Sequence, residues 1–87
     1  MNRIIRVTKK DIAHGKVRFD LCPVAVALSR TLDARVQVYG FCITIERFNP
    51  RSVHIVGQVP LAVRRFVRRF DRGDPVEPFS FRLRFKE

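Results

Sequence analysis

Tryptophan is absent from this 87-residue chain, tyrosine and methionine occur once each, and cysteine and histidine twice. Each scarcity closes off a class of chemistry. Two cysteines, Cys22 and Cys42, cannot form the dense disulfide framework of a small secreted domain, although one bridge between them stays open. With only His14 and His54 to add, the sequence lacks the two tight ligand pairs that a zinc site needs, and no metal or cofactor is expected. No apolar run approaches ~20 residues, so no segment is expected to span a membrane. The opening residues, Met1 to Arg6, lack the apolar stretch of a secretory signal, and a cytoplasmic protein is the expectation. The most telling shortage is of acid: 8 Asp and Glu stand against 18 Lys and Arg, a net charge of +10.

What is present is a globular mixture, 46% hydrophobic and 30% charged, with eight phenylalanines to fill a modest core. The length suits a single domain over residues 1–87. Fourteen of the 18 cations are arginine. Its planar fork of donors matches phosphate and carboxylate oxygens, and a charge of this size speeds encounter with nucleic acid or acidic surfaces. An arginine-rich genome would also raise the arginine count, but would not by itself remove the acids.

Periodicity outlines the elements. Arg3 to Thr8 reads as a strand with Ile5 and Val7 on one side and Arg6 on the other. Thr8 and Asp11 have capping-box spacing, which predicts a single helical turn closed by Gly15. Cys22-Pro23 opens a first full helix with proline at its first position, and Leu21, Val24, Ala25, Leu28 and Leu32 form its apolar stripe to Asp33. Arg35–Tyr39, Phe41–Glu46 and Val53–Val56 alternate as three strands of an antiparallel meander, with turns at Gly40 and Asn49-Pro50. In the third, Val53 and Ile55 share a face opposite His54. Pro60 begins a second helix in which Val63, Phe66, Val67 and Phe70 recur at i, i+3, i+4 and i+7, and Gly73 ends it. A last strand alternates Phe79, Phe81, Leu83 and Phe85 with Ser80, Arg82, Arg84 and Lys86. The expected fold is α+β: an antiparallel sheet of four or five strands with two helices packed on one face.

Function is expected where the arginines gather. Arg64, Arg68 and Arg72 form one row of the second helix, and Arg65 and Arg69 another. Like charges one turn apart repel, and an anionic partner would relieve that repulsion; a solvated face whose stems cover apolar surface would also account for it. Arg82, Arg84 and Lys86 make a second set on the last strand, which Arg6 and Arg3 join if the first and last strands pair. Such charges would also protect an edge strand from aggregation. Arg47 and Arg51, near a turn, extend either patch. Tyr39 and Phe48, both at turns, are candidates for stacking on bases, whereas the other phenylalanines recur at core periods.

Catalysis finds little foothold. Asp71, Asp74 and Glu77 cluster after a helix, where they serve as turn residues or pair with nearby arginines. Cys22, at a helix start, would be a reactive thiol only if exposed; no His lies near it in sequence, and a small buried cysteine before proline is the commoner case.

Three segments resemble a group of small uncharacterised phage and prophage proteins. They are the Cys-Pro helix start, Cys22-Pro23-Val24-Ala25-Val26-Ala27-Leu28-Ser29-Arg30; Val59-Pro60 before the second helix; and the ending Phe70-Asp71-Arg72-Gly73-Asp74-Pro75-Val76-Glu77-Pro78-Phe79-Ser80-Phe81. The resemblance implies an origin in a mobile element and residence in a host cell. Many members are acidic or neutral, and many carry a second cysteine where this chain has Phe19 or Asp20. The shift to a basic chain points to a role for the charge in this protein. The expectation is a non-enzymatic binding protein that engages nucleic acid or a host nucleoprotein through an arginine-rich face, by class analogy an anti-defence inhibitor of the anti-CRISPR type. The alternatives are a protein–protein inhibitor or adaptor docking the basic helix on an acidic protein surface, and a thiol enzyme using Cys22.

Overall fold

A computed structural model of the chain describes residues 2–40, 42–48 and 51–84. The elements run β1 (Asn2–Val7), α1 (Lys9–His14), α2 (Pro23–Leu32), β2 (Arg35–Val38), β3 (Ile43–Arg47), β4 (Ser52–Val56), α3 (Leu61–Asp71) and β5 (Phe79–Arg84). The fold is α+β with antiparallel strands. Phe41, Asn49, Pro50, Phe85 and Lys86 lie outside the described residues.

Local chemistry places the helices where the sequence expects them. The Thr8 hydroxyl accepts from the Asp11 N–H at 3.2 Å, and the Asp11 carboxylate accepts from the Thr8 N–H at 2.8 Å, closing the capping box of α1. Cys22 caps α2, its sulfur accepting from the Ala25 N–H, and Pro23 follows at the first helical position. The cap at the other end of α2 is Asp33, a non-glycine residue at φ 50°. In α3, Pro60 is the N-cap rather than the first helical residue. Gly73 ends that helix at φ 78°, a conformation open to glycine and strained for other side chains.

The five strands form two sheets, not one. β1 pairs with β5, and β2, β3 and β4 form a meander in that order. An open cleft of about 660 Å³, lined by residues of β4, the Gly57–Pro60 segment and β5, interrupts the surface between the two sheets. α2 packs against both β1 and β2, and so joins the sheets through the core. That core collects Ile5, Val24, Ala25, Ala27, Leu28, Ile43 and Ile45, all fully buried. α3 enters it through Val63 and Phe66, and Phe66 stacks towards β5, its ring 4.7 Å from that of Phe79.

Register settles two sidedness questions. Ile43 pairs with Val56 and Ile45 with His54, so His54 and Val56 share the core side of β4. Val53 and Ile55 do share a face, but it is the outer one, where they are 54% and 70% exposed. In the other sheet, Ile4 faces Arg82 and Arg6 faces Ser80, while Arg3 stands opposite the buried Leu83. Arg3 therefore does not join the outer basic face; its guanidinium donates to the Thr31 carbonyl of α2 at 3.4 Å.

The helical joint at the N-terminal end is tight. A Cβ built on Gly15 would stand 2.6 Å from the Pro23 ring and 2.9 Å from the Asp11 carbonyl oxygen, so only glycine lets α1 end against the start of α2. Gly15→Ala should destabilise the protein by about 1–3 kcal/mol in urea unfolding, the usual penalty for overpacking a close contact; an unchanged midpoint would show that the joint yields.

Asp11 is 2% exposed, the one buried charged side chain among the described residues. Arg30 donates to both of its carboxylate oxygens and, at 3.1 Å, to the Arg6 carbonyl. Burial alone would raise the Asp11 pKa, but the Arg30 bond and the two Thr8 bonds outweigh it and hold the carboxyl below its ordinary value. The stabilisation from a depressed carboxyl is complete above its unfolded value of ~3.9 and is lost as pH falls through the lower folded value. The stability gap between wild type and Asp11→Asn should therefore narrow when melts at pH 7 are repeated at pH 3. A gap independent of pH would mean that the carboxylate contributes no charge-specific stability.

Candidate functional site

A groove of about 790 Å³ lies between α3 and the connection from α1 to α2. Its position follows from how α3 divides its faces. Val63 and Phe66 point into the core, so Arg64, Arg65, Arg68, Arg69 and Arg72 must turn to solvent, and all five are exposed. Arg64, Arg65, Arg68 and Arg72 line the groove, and Arg18 joins them from the opposite wall. One acid, Asp71, lies among these five arginines.

The arginines are largely unneutralised. Arg64, Arg65, Arg68 and Arg69 make no ion pair or side-chain hydrogen bond among the described residues. Arg72 pairs with Asp74 at 3.0 Å and Arg18 with Asp20 at 3.3 Å, both largely exposed pairs of the kind that contribute little. Asp74 is thus engaged by an arginine, one of the two roles its position suggested.

The opposite wall carries aromatic rings. Phe19 is 45% exposed and stacks on Tyr39, with ring centroids 5.5 Å apart and planes 13° from parallel. Tyr39 was legible as a turn aromatic, but Phe19 was not. The available signal was Lys16-Val17-Arg18-Phe19, a phenylalanine interleaved with bases in a segment without periodicity. Phe48 is exposed at the end of β3 and takes no part in the groove.

The remaining candidates are dispersed. Arg6, Arg82 and Arg84 are exposed on the outer face of the β1–β5 sheet, and Arg82 and Arg84 border the cleft beside β4. Arg51 pairs with Glu46 at 3.2 Å, and Arg47 stands opposite Ser52; both sit at the hairpin end of β3 and β4 and extend neither patch.

Cys22 borders the floor of the groove but is almost wholly buried. Burial pushes its thiol pKa up, N–H donors from Ala25 and Val24 oppose this in part, and the Asp71 charge adds to the rise, so the thiolate is disfavoured. Both cysteines are free thiols. Among the described residues, no three of His, Cys, Asp and Glu come together as a metal site would require, and no helix is long and apolar enough to cross a membrane.

No protein-family model, curated protein or solved structure matches the chain. The Cys-Pro helix start and the ending that follows the second helix have clear structural work. Cys22-Pro23 starts α2, and the stretch from Phe70 to Phe81 ends α3, turns at Gly73 and sets Phe79 and Phe81 beside Phe66.

Thiol labelling tests the burial argument. Cys42, which is partly exposed, should react with a disulfide reagent well before Cys22, whose labelling should wait on unfolding. Fast modification of Cys22 in the folded protein would contradict the buried, raised-pKa environment.

Proposed function

We propose that this protein is a non-enzymatic binder of nucleic acid, bare or within a host nucleoprotein, and that it holds the phosphate backbone with the arginine face of α3. The observation that carries the proposal is the set of four exposed, unpaired arginines, Arg64, Arg65, Arg68 and Arg69, on one rigid helix beside an open groove. Their i, i+4 pairs cost about 0.2–0.5 kcal/mol each in repulsion in an isolated helix. A polyanion removes that cost and adds charge-assisted bonds to guanidinium groups. Phosphate contacts of this kind position a ligand without reading its sequence, which suits a mobile-element protein that occupies the surface of a host defence nucleoprotein.

Exposed Val17 and Leu61 at the groove favour a second reading, an acidic protein surface with an apolar centre. The two differ in how a complex isolated from host lysate responds to nuclease. A nucleic-acid complex is lost, and a protein complex persists.

The first reading also has a thermodynamic signature. Four or five phosphate contacts imply that log K falls by about 3–4 per tenfold rise in salt. Arg64→Glu with Arg68→Glu should weaken binding to a mixed-sequence oligonucleotide at least tenfold and flatten that slope. Thermal stability should stay the same or rise, because the repulsion within α3 is relieved. Equal affinity and slope in the double variant would remove α3 from the interface.

A further inference from the structure

The groove presents two different chemistries on facing walls. One wall is the arginine row of α3; the other is the Phe19–Tyr39 stack. Stacked aromatics ordinarily seal a core, and the Phe66, Phe79 and Phe81 rings do so here. Phe19 instead remains 45% exposed beside a positively charged hollow.

That exposure is built in. The Phe19 carbonyl accepts from the Val38 N–H at 2.7 Å, which fastens the α1–α2 connection to β2. Within the connection, the Lys16 N–H donates to the Leu21 carbonyl at 2.8 Å and the Cys22 N–H to the Arg18 carbonyl at 2.9 Å. On the other side of the stack, the Tyr39 N–H donates to the Cys42 carbonyl at 2.8 Å, and its hydroxyl lies 3.0 Å from the Gln37 side-chain oxygen. The backbone at both residues and the Tyr39 hydroxyl are therefore held before any ligand arrives. Near-parallel rings at 5.5 Å are offset stacked, and Phe19 keeps its exposure within the stack.

We infer that the groove takes a single-stranded segment of nucleic acid, with an unpaired base stacked on the Phe19–Tyr39 platform and the flanking phosphates on Arg64, Arg68 and Arg72. This inference rests on the nucleic-acid reading of the α3 face and names the form of nucleic acid that it selects. Successive arginines of the row rise by about 6 Å along the helix, a step comparable with that between phosphates of an extended strand. The volume of about 790 Å³ lies in the range of small-molecule sites and admits a flipped or unpaired base with its sugar. Within a duplex the bases are stacked on each other and only the end pairs show an open face; proteins that bind single strands combine a basic track with such platforms for this reason. Ring face and guanidinium address base and phosphate, which RNA and DNA share, so the site accepts either sugar.

The test uses fluorescein-labelled 12-nucleotide strands of one mixed sequence, as RNA and as DNA, the same DNA strand annealed to its complement, and an abasic deoxyribose-phosphate strand of equal length. Tyr39 is the only tyrosine and there is no tryptophan, so intrinsic emission reports the platform directly. Both single strands should bind within about threefold of each other and quench Tyr39, whereas the duplex and the abasic strand bind more weakly and leave the emission unchanged. Phe19→Ala should weaken the single strands about tenfold while leaving the abasic strand unaffected, and Phe19→Trp should retain single-strand binding. Binding of all four probes with equal affinity, or single-strand binding that leaves Tyr39 emission and the Phe19→Ala affinity unchanged, overturns the stacking inference and leaves the arginine reading standing. Binding confined to one sugar also overturns it. Failure of every probe to bind overturns the arginine reading itself.

Discussion

The buried Asp11 carboxylate is the joint on which the arrangement turns. It caps its own helix through Thr8 and receives both arms of Arg30 from α2, while Arg30 also reaches the Arg6 carbonyl at the end of β1. Three consecutive elements, β1, α1 and α2, are thereby fixed at one point. β1 then carries β5, and α2 carries β2, so the two sheets take their relative placement from this corner. The α1–α2 connection hangs between the same two helices. It forms one wall of the groove, and the closeness that Gly15 permits against Pro23 keeps that wall short.

The other wall follows from an imbalance of charge. Eight acids cannot neutralise 18 bases, and the few that are well placed are spent on Arg30, Arg18, Arg51 and Arg72. The arginines of α3 are left over because the opposite side of that helix is committed to Val63 and Phe66. Packing against Phe79 holds the helix in place in spite of the repulsion along it. A rigid helix with unneutralised guanidinium groups needs no conformational change to receive a polyanion, which lowers the entropic cost of binding.

Much of this was legible because it is local. The capping box of α1, the Cys22-Pro23 start of α2, the faces of α3 and the Gly73 stop depend on residues within one or two turns of each other, and the structure shows all of them. The features that escaped depend on pairing across the chain. Val53-His54-Ile55-Val56 has a β-branched apolar residue in each phase, so only its register with Ile43 and Ile45 decides that Val56 is buried and Ile55 is not. Arg3 and Arg6 have opposite parity on one strand, and pairing with β5 sends Arg3 inward. The break between the sheets and the meeting of Phe19 with Tyr39 are tertiary facts with no periodic trace. The arginine row of the candidate site and Tyr39 could be read from the sequence, but Phe19 as the partner of Tyr39 could not.

The central claim is that the polyanion lies in the groove along α3. Nitrogen-15 NMR of the protein titrated with a short oligonucleotide at low salt tests it most directly. The account predicts that the largest shifts fall on the amides of Leu61–Asp71, on the arginine side chains of α3, and on Val17 to Phe19 and Tyr39. Shifts confined to Arg6, Arg82 and Arg84 on the outer face of the β1–β5 sheet, or no shifts at all, would contradict it.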